Sequence, residues 1–249
     1  MTKAIILAAG VGSRLKPYTD DCPKGMVEVN GKPILEHQFE TLKKAGVDEI
    51  VVVCGYLKDK ITSACVHLNK IENERWYTTN MVASLYCAKE WLTDDVIISY
   101  ADIIYQQPVL EQLLQSSSDI IVSADKEFLR YWKLRLVNPL DDVESFTVND
   151  TGCISSIGQK VKSLDQIEAQ YIGLMRFKGA GLDVLNDYLD RLNGTSGFDM
   201  MYMTDLLMTM IKGGVCITPS YHQNDWVEID SVKDRNLAEK ILRGEISLS

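Results

Sequence analysis

The chain has 249 residues, of which 46% are hydrophobic and 24% charged, the balance of an ordinary globular protein and too apolar for a disordered one. Twenty-six basic against 35 acidic side chains leave a formal charge of −9, which argues against a binder of nucleic-acid backbones and a polybasic membrane anchor. A small anionic ligand stays open, because a few local cations can serve one pocket inside an acidic protein.

In chain order, residues 3–8 form an apolar run of the kind buried in a parallel sheet, followed by a glycine turn. Ile34, Leu35, Phe39, Leu42 and Ala45 repeat at helical spacing, with Gly46 as a stop. A strand over 49–54, a helix over 57–68 and a helix over 81–92 follow. Strands are expected over 96–100 and 120–124, with a short helix near 109–114 between them. Strand and helix alternating at this pace give right-handed βαβ crossovers. After about residue 130 the rhythm changes: strands are expected over 133–137, 144–148, 153–157 and 169–177 without helices between them. Helices over 181–192 and 200–211, a strand pair at 215–218 and 226–229, and a C-terminal helix complete the reading. The expected fold class is α/β: a Rossmann-like, mainly parallel mixed sheet flanked by helices, with an antiparallel embellishment in the second half. One domain over 1–249 is expected, about 1–125 binding nucleotide and about 126–249 binding the acceptor.

The six cysteines show no CxxC spacing and the three histidines are scattered, so no zinc site is expected. Cys54 after Val51-Val52-Val53 and Cys216 beside Val215 read as small buried thiols. No apolar run approaches the roughly 18 residues of a membrane span. Ala4-Ile5-Ile6-Leu7 meets the glycine turn too soon for a secretory leader. A reducing cytoplasm is the expected location, with no membrane or nucleic-acid partner; a homo-oligomer is compatible with the sequence.

The strongest local signal is Leu7-Ala8-Ala9-Gly10-Val11-Gly12-Ser13-Arg14, directly after the first strand. Small residues admit a ligand close to the backbone, and successive N–H groups in such a turn form an anion-binding concavity. No Gly-Lys-Ser/Thr follows, as a Walker A loop requires, and Leu15 stands where the dinucleotide fingerprint has its third glycine. A plain tight turn would look the same. Arg14, Lys16 and Lys24, stiffened by Pro17 and Pro23, add three cations at the carboxyl end of that strand, where an open α/β sheet places a phosphate.

These residues carry a resemblance. Ile5 through Leu15, then Pro23-Lys24, then Gly31-Lys32-Pro33-Ile34-Leu35 is similar to the signature of the nucleotidyltransferases that activate sugar 1-phosphates and related phospho-compounds. Thr79-Asn80-Met81-Val82-Ala83-Ser84-Leu85 and Tyr100-Ala101-Asp102 resemble the phosphocholine cytidylyltransferase branch. The stretches from Ile167 to Leu174, Met201 to Thr204 and Trp226 to Asp230 resemble a subgroup that attaches CMP to phosphorylated amino acids or phosphonates. Gly25 departs from the pattern, which more often has a larger residue after the lysine.

The resemblance implies CTP as donor, a small phosphate or phosphonate as acceptor, and Mg²⁺ (or Mn²⁺) as cofactor. Arg14 and Lys24 are the implied catalytic cations. Leu7, Ala8, Ala9, Gly10, Val11, Gly12, Ser13, Gly55, Tyr56, Thr79, Asn80 and Ser84 are the implied nucleotide contacts. Asp102 and Asp230, each ending an apolar strand, are the implied metal ligands, since Mg²⁺ takes one or two carboxylates plus phosphate oxygens. Capping offers an alternative for Asp102, for Asp230-Ser231 and for Thr78-Thr79-Asn80, and a strand-end turn explains Gly55 and Tyr56 equally. The acceptor wall is expected from Glu168, Gln170 and Tyr171, with Lys126, Trp132, Lys133 and Arg135. That aromatic-basic stretch also reads as an edge strand blunted by charge. A sugar-1-phosphate enzyme using UTP, dTTP or GTP is the alternative chemistry, and a non-catalytic nucleotide sensor the alternative class.

Overall fold

The computed structural model describes residues 1–248. Its elements in chain order begin with β1 (Thr2–Ala8), the short β2 (Glu28–Val29) and β3 (Lys32–Pro33), α1 (Ile34–Lys44), β4 (Glu49–Cys54) and β5 (Asn69–Glu72). Next come α2 (Met81–Cys87), β6 (Asp95–Tyr100), β7 (Ile103–Tyr105), α3 (Gln107–Gln115), β8 (Ile120–Asp125) and α4 (Phe128–Arg135). The second half contains β9 (Glu144–Val148), β10 (Ile154–Lys160), β11 (Gln170–Lys178), α5 (Ala180–Leu192), α6 (Met203–Lys212), β12 (Thr218–His222), β13 (Trp226–Glu228) and α7 (Val232–Leu242).

The main sheet has seven strands in the order β12-β8-β11-β6-β1-β4-β5. β1 pairs in parallel with both β4 and β6, placing Leu7 beside Val53 and Tyr100, so three strands end along one edge. β11 lies antiparallel between β6 and β8. The two strand changes of direction cancel, so β8 runs with β6 and its carboxyl end reaches the same edge. Ala4, Ile5, Ile6, Ile50 to Val53 and Val96 to Ile98 are at most 1% exposed, which is why these strands read as continuous apolar runs. A small ladder, β7 with β13, sits beyond the sheet edge, and Ile229 donates its amide to the Asp102 carbonyl at 2.8 Å as that pairing ends.

Four sequence expectations are corrected. Residues 57–68 are not a helix: one 3-10 turn, Lys58–Lys60, is followed by open chain, and Ser63 Oγ takes the amides of Cys65 and Val66 at 3.1 Å each. A side chain that accepts local amides competes with helical hydrogen bonding. Residues 81–92 give a shorter helix ending at Cys87, then a 3-10 turn. Residues 133–137 are not a strand, because α4 buries Phe128, Tyr131, Trp132 and Arg135, one face at helical spacing. The expected final strand pair does not form: β12 pairs with β8, and β13 with β7.

Cys216 is also not a free thiol. It is joined to Cys153 by a disulfide across a separation of 63 residues, tying the start of β10 to the approach to β12. Among the described residues no helix is long and apolar enough to cross a membrane.

Candidate active site

The glycine turn after β1 forms one wall of a cavity of about 380 Å³ at the carboxyl edge of the sheet. Leu7, Ala8, Ala9, Gly10, Gly12 and Ser13 line it, with Thr79, Asn80 and Ser84 opposite. Gly12 has φ +66°, and a Cβ there would lie 2.8 Å from Lys24 Cβ, so the turn needs glycine both for its backbone and to let Lys24 pass. Thr19 Oγ1 pins the turn by donating to the Gly12 carbonyl at 2.9 Å. The amides of Gly10 through Ser13 point to no protein acceptor among the described residues, as a phosphate cradle requires.

Lys24 opens a 3-10 turn behind Pro23. Gly25 lies buried against Leu35, where a Cβ would come within 2.7 Å of Leu35 Cγ, so the glycine seats the turn on α1 and leaves the lysine in place. Lys24 Nζ donates to Asp102 Oδ2 at 2.7 Å and to Asp230 Oδ1 at 2.5 Å. Burial opposes the lysine's charge, but the two carboxylates outweigh it and raise its pKa above the ordinary value. Asp230 is itself desolvated, yet Lys24 first, then Arg14 and Arg135, hold it below the usual carboxylate range. Arg14 Nη2 lies 2.9 Å from Asp230 Oδ2, with its side chain 67% exposed at the cavity mouth.

Asp230 does not cap α7. Ser231 does, in a capping box with Asp234, which leaves the Asp230 carboxylate for the cavity. Asp102 follows β6 in the turn to β7. Glu228, which the sequence reading missed, completes a group: one carboxylate oxygen from each of Asp102, Glu228 and Asp230 lies within 4.8 Å of the others. The signal was Glu228-Ile229-Asp230, an i, i+2 pair that an extended chain turns to one side. Burial, opposed by Arg135 and reinforced by Asp230 and Asp102, pushes Glu228 up to about 8. Asp102 Oδ1 is buried with no hydrogen-bond partner. An orphaned carboxylate oxygen beside two further carboxylates suits a hard divalent cation, so these residues fit a metal of the Mg²⁺ type.

A second cavity of about 330 Å³ adjoins the first, and Arg14, Met81, Tyr100, Asp102, Tyr202 and Asp230 line both. Trp132, Gln170 and Tyr171 lie on its wall, as the sequence suggested, together with Glu144, Asp142, Asp205 and Glu228, which it did not. These acids come from separate segments, and no local pattern connects them.

Several expected contacts lie elsewhere. Val11 does not line the first cavity. Gly55 lies beneath Trp76, where a Cβ would meet Trp76 Cβ at 2.5 Å, and Tyr56 donates its hydroxyl to the Thr19 and Asp20 carbonyls at 3.0 Å. Both support Trp76, which does line the cavity. Arg135 does not line the second cavity: its side chain is 3% exposed, paired with Glu228 and, at 3.1 Å, with Asp234. The α4 face carries it inward, behind Asp230. Lys133 is exposed and lines neither cavity. Lys126 stacks over the Tyr221 ring at 4.2 Å, beside a different pocket. Glu168 accepts the Val148 amide at 3.0 Å and faces β9 instead. Asn80 does cap α2, through Met81 N at 2.9 Å, while still lining the cavity; the two roles coexist.

A family model described as the MobA-like NTP transferase domain matches residues 4–153. The chain is 40% identical to CTP:phosphoglutamine cytidylyltransferase of Campylobacter jejuni, covering 93% of this chain and 96% of that one. It is 27% identical to choline-phosphate cytidylyltransferase of Streptococcus pneumoniae, over 98% and 99% of the two chains. A solved structure of CTP:phosphocholine cytidylyltransferase from Streptococcus pneumoniae superposes with TM-score 0.71 over 97% of this chain and 99% of that one, at 24% identity, a likeness of fold.

Proposed function

The chain belongs to the MobA-like NTP transferase family, and on that premise we propose that it is a cytidylyltransferase, moving CMP from CTP to a small phosphate or phosphonate with release of pyrophosphate. The observation that carries the reading is the Lys24–Asp102–Asp230 arrangement at the seam of the two cavities, where a nucleotide α-phosphate and an acceptor oxygen would meet.

The acceptor oxygen forms a bond to the α-phosphorus, the α-phosphorus to bridging-oxygen bond breaks, and its electron pair leaves with pyrophosphate. No protein nucleophile is needed, so the protein contributes positioning and charge neutralisation. The amides of Gly10 to Ser13 hold nucleotide phosphate oxygens. Lys24, kept protonated between two carboxylates in a mostly buried setting, faces the oxygens that gain charge in the transition state. Arg14, at the mouth and on both cavity walls, reaches the triphosphate or the acceptor phosphoryl group. A divalent cation such as Mg²⁺, held by Asp102, Asp230 and Glu228, would neutralise further triphosphate charge. Beyond this seam the acceptor side is acidic, with Glu144, Asp142 and Asp205, so the acceptor is a small phospho- or phosphono-compound bearing a positive group.

The relatives named for CTP and small phosphorylated acceptors support CTP over UTP or dTTP. Incubation with CTP, Mg²⁺ and 2-aminoethylphosphonate or choline phosphate, followed by ³¹P NMR, tests the reading. It predicts pyrophosphate and a new CMP-linked phosphoanhydride; their absence with every small acceptor contradicts it.

A further inference from the structure

Two residues of α4 reach neither cavity, yet both close on the strand that leads to Asp230. Tyr131 is 0% exposed and the Arg135 side chain 3%, and neither lines the first or the second cavity. They lie one helical turn apart, on the buried face of α4. Neither can touch a substrate, so whatever they do for the reaction passes through the residues they hold.

β13 is three residues long and pairs with β7 in a ladder of two strands only. Its other edge has no strand, and the Tyr131 hydroxyl stands there instead. It accepts the Glu228 amide at 2.9 Å and donates to the Glu228 carbonyl at 3.0 Å. A hydroxyl can do both at once, because it has one proton and two lone pairs. One side-chain atom thus takes the place of a third strand, at the residue where β13 ends. The next amide, Ile229 N, donates to the Asp102 carbonyl at 2.8 Å. The backbone leading to Asp230 is therefore held by Tyr131 and by the residue that carries the facing carboxylate.

Arg135 holds the side chain of the same Glu228. Its guanidinium pairs with the Glu228 carboxylate, donates to Asp234 Oδ1 at 3.1 Å and lies 3.8 Å from Asp230 Oδ2. Asp234 in turn accepts the Ser231 amide at 2.9 Å, in the capping box that opens α7 directly after Asp230. The guanidinium sits 4.9 Å from the Trp132 ring centroid and 5.5 Å from that of Tyr131, which fixes it in place. A planar fork can bridge two carboxylates, which a single ammonium does less well.

We propose that Tyr131 and Arg135 are positioning residues of the metal site, holding Glu228-Ile229-Asp230 in register with Asp102 so that the carboxylates meet a divalent cation without rearrangement. The assignment rests on the reading of Asp102, Glu228 and Asp230 as metal ligands. Groups that orient metal ligands from behind contribute roughly ten- to a hundredfold to metal affinity. Removing the Tyr131 hydroxyl leaves the Glu228 amide and carbonyl without their partner, and a three-residue ladder does little to keep the stretch in place.

Tyr131→Phe deletes that oxygen and keeps the ring. Calorimetric titration of the free protein with Mn²⁺, well below its melting temperature, should give a dissociation constant about tenfold or more above wild type. The Mn²⁺ concentration at half-maximal pyrophosphate release should rise with it, and saturating Mn²⁺ should restore kcat to within about twofold. A packing role alone would lower Tm and leave Mn²⁺ affinity untouched. A folded Tyr131→Phe protein that binds Mn²⁺ as wild type does would therefore overturn the assignment, whatever its Tm. Should that variant not fold, Arg135→Lys decides by the same titration: it keeps the charge but gives up the fork, and wild-type affinity in it would overturn the assignment. Wild-type protein that takes up no Mn²⁺ would remove the metal reading and this assignment together, while the ³¹P experiment above still decides the cytidylyltransferase reading.

Discussion

Lys24 and Asp230 stand 206 residues apart in the chain, yet Lys24 Nζ lies 2.5 Å from Asp230 Oδ1. The contact closes the site: the turn after β1 supplies the cation, and the end of β13 supplies the carboxylate. Asp102, after β6, takes the same lysine at 2.7 Å.

Removing that cation tests its role in charge neutralisation. Lys24→Ala should lower kcat/KM at least about a hundredfold, because a cation facing transition-state oxygens in a secluded site contributes roughly 3 kcal/mol. Circular dichroism should be unchanged, since the turn that carries Lys24 is seated on α1 through Gly25. Near wild-type turnover would make Lys24 a structural partner of the two aspartates only.

Asp102→Asn tests the metal ligand. The amide keeps the shape but loses the charge that a hard cation needs. Mn²⁺ affinity, measured by calorimetry on the free protein, should fall about tenfold or more, and turnover should fall with it, while Tm barely moves. Full wild-type activity in excess chelator would remove the metal role from Asp102, Glu228 and Asp230 together.

Away from the site, Asp95 anchors Arg176 at 2.8 Å and 2.7 Å. Burial works against the Asp95 charge, but the Arg176 contact and the Thr2 hydroxyl hold its pKa below the ordinary value. A depressed carboxylate stabilises the fold above its unfolded pKa, and that contribution is lost as pH falls through the folded value. Urea titrations should show this as falling stability below about pH 4. Asp95→Asn should cost roughly 2–3 kcal/mol at neutral pH, since Arg176 is left buried without its partner, and should flatten the acid limb. An unchanged acid limb would place the effect elsewhere.

The Cys153–Cys216 bond should stabilise the folded chain by about 2–4 kcal/mol, through loss of unfolded-state freedom across its 63-residue separation. Scanning calorimetry with and without reductant checks this. Cys153→Ser should match the reduced protein, and a Tm insensitive to reductant in the wild type would show that the bond contributes nothing in solution.

Much of the fold was legible because β1, β4, β6 and β8 are buried on both faces and read as unbroken apolar runs. The glycine turn, Arg14 and Lys24 were legible for a related reason, since their spacing is local. What escaped the sequence is non-local or ambiguous in period. Tyr131 and Trp132 are aromatic residues that favour strands, yet their spacing with Phe128 and Arg135 is helical, and burial chose the helix. The same choice turned Arg135 from a surface cation into a buried partner of Glu228 and Asp234. Glu144, Asp205 and Glu228 meet only when β9, α6 and β13 have assembled, so no segment announced an acidic wall to the second cavity.

The central claim is tested most directly by pyrophosphate release from CTP, UTP, dTTP and GTP, each against small phospho- and phosphono-compounds and hexose 1-phosphates. CTP with a small acceptor should exceed every hexose 1-phosphate combination by about tenfold or more in kcat/KM, a gap of roughly 1.4 kcal/mol. Robust turnover of glucose 1-phosphate with UTP or dTTP, and none of the small acceptors with CTP, would contradict it.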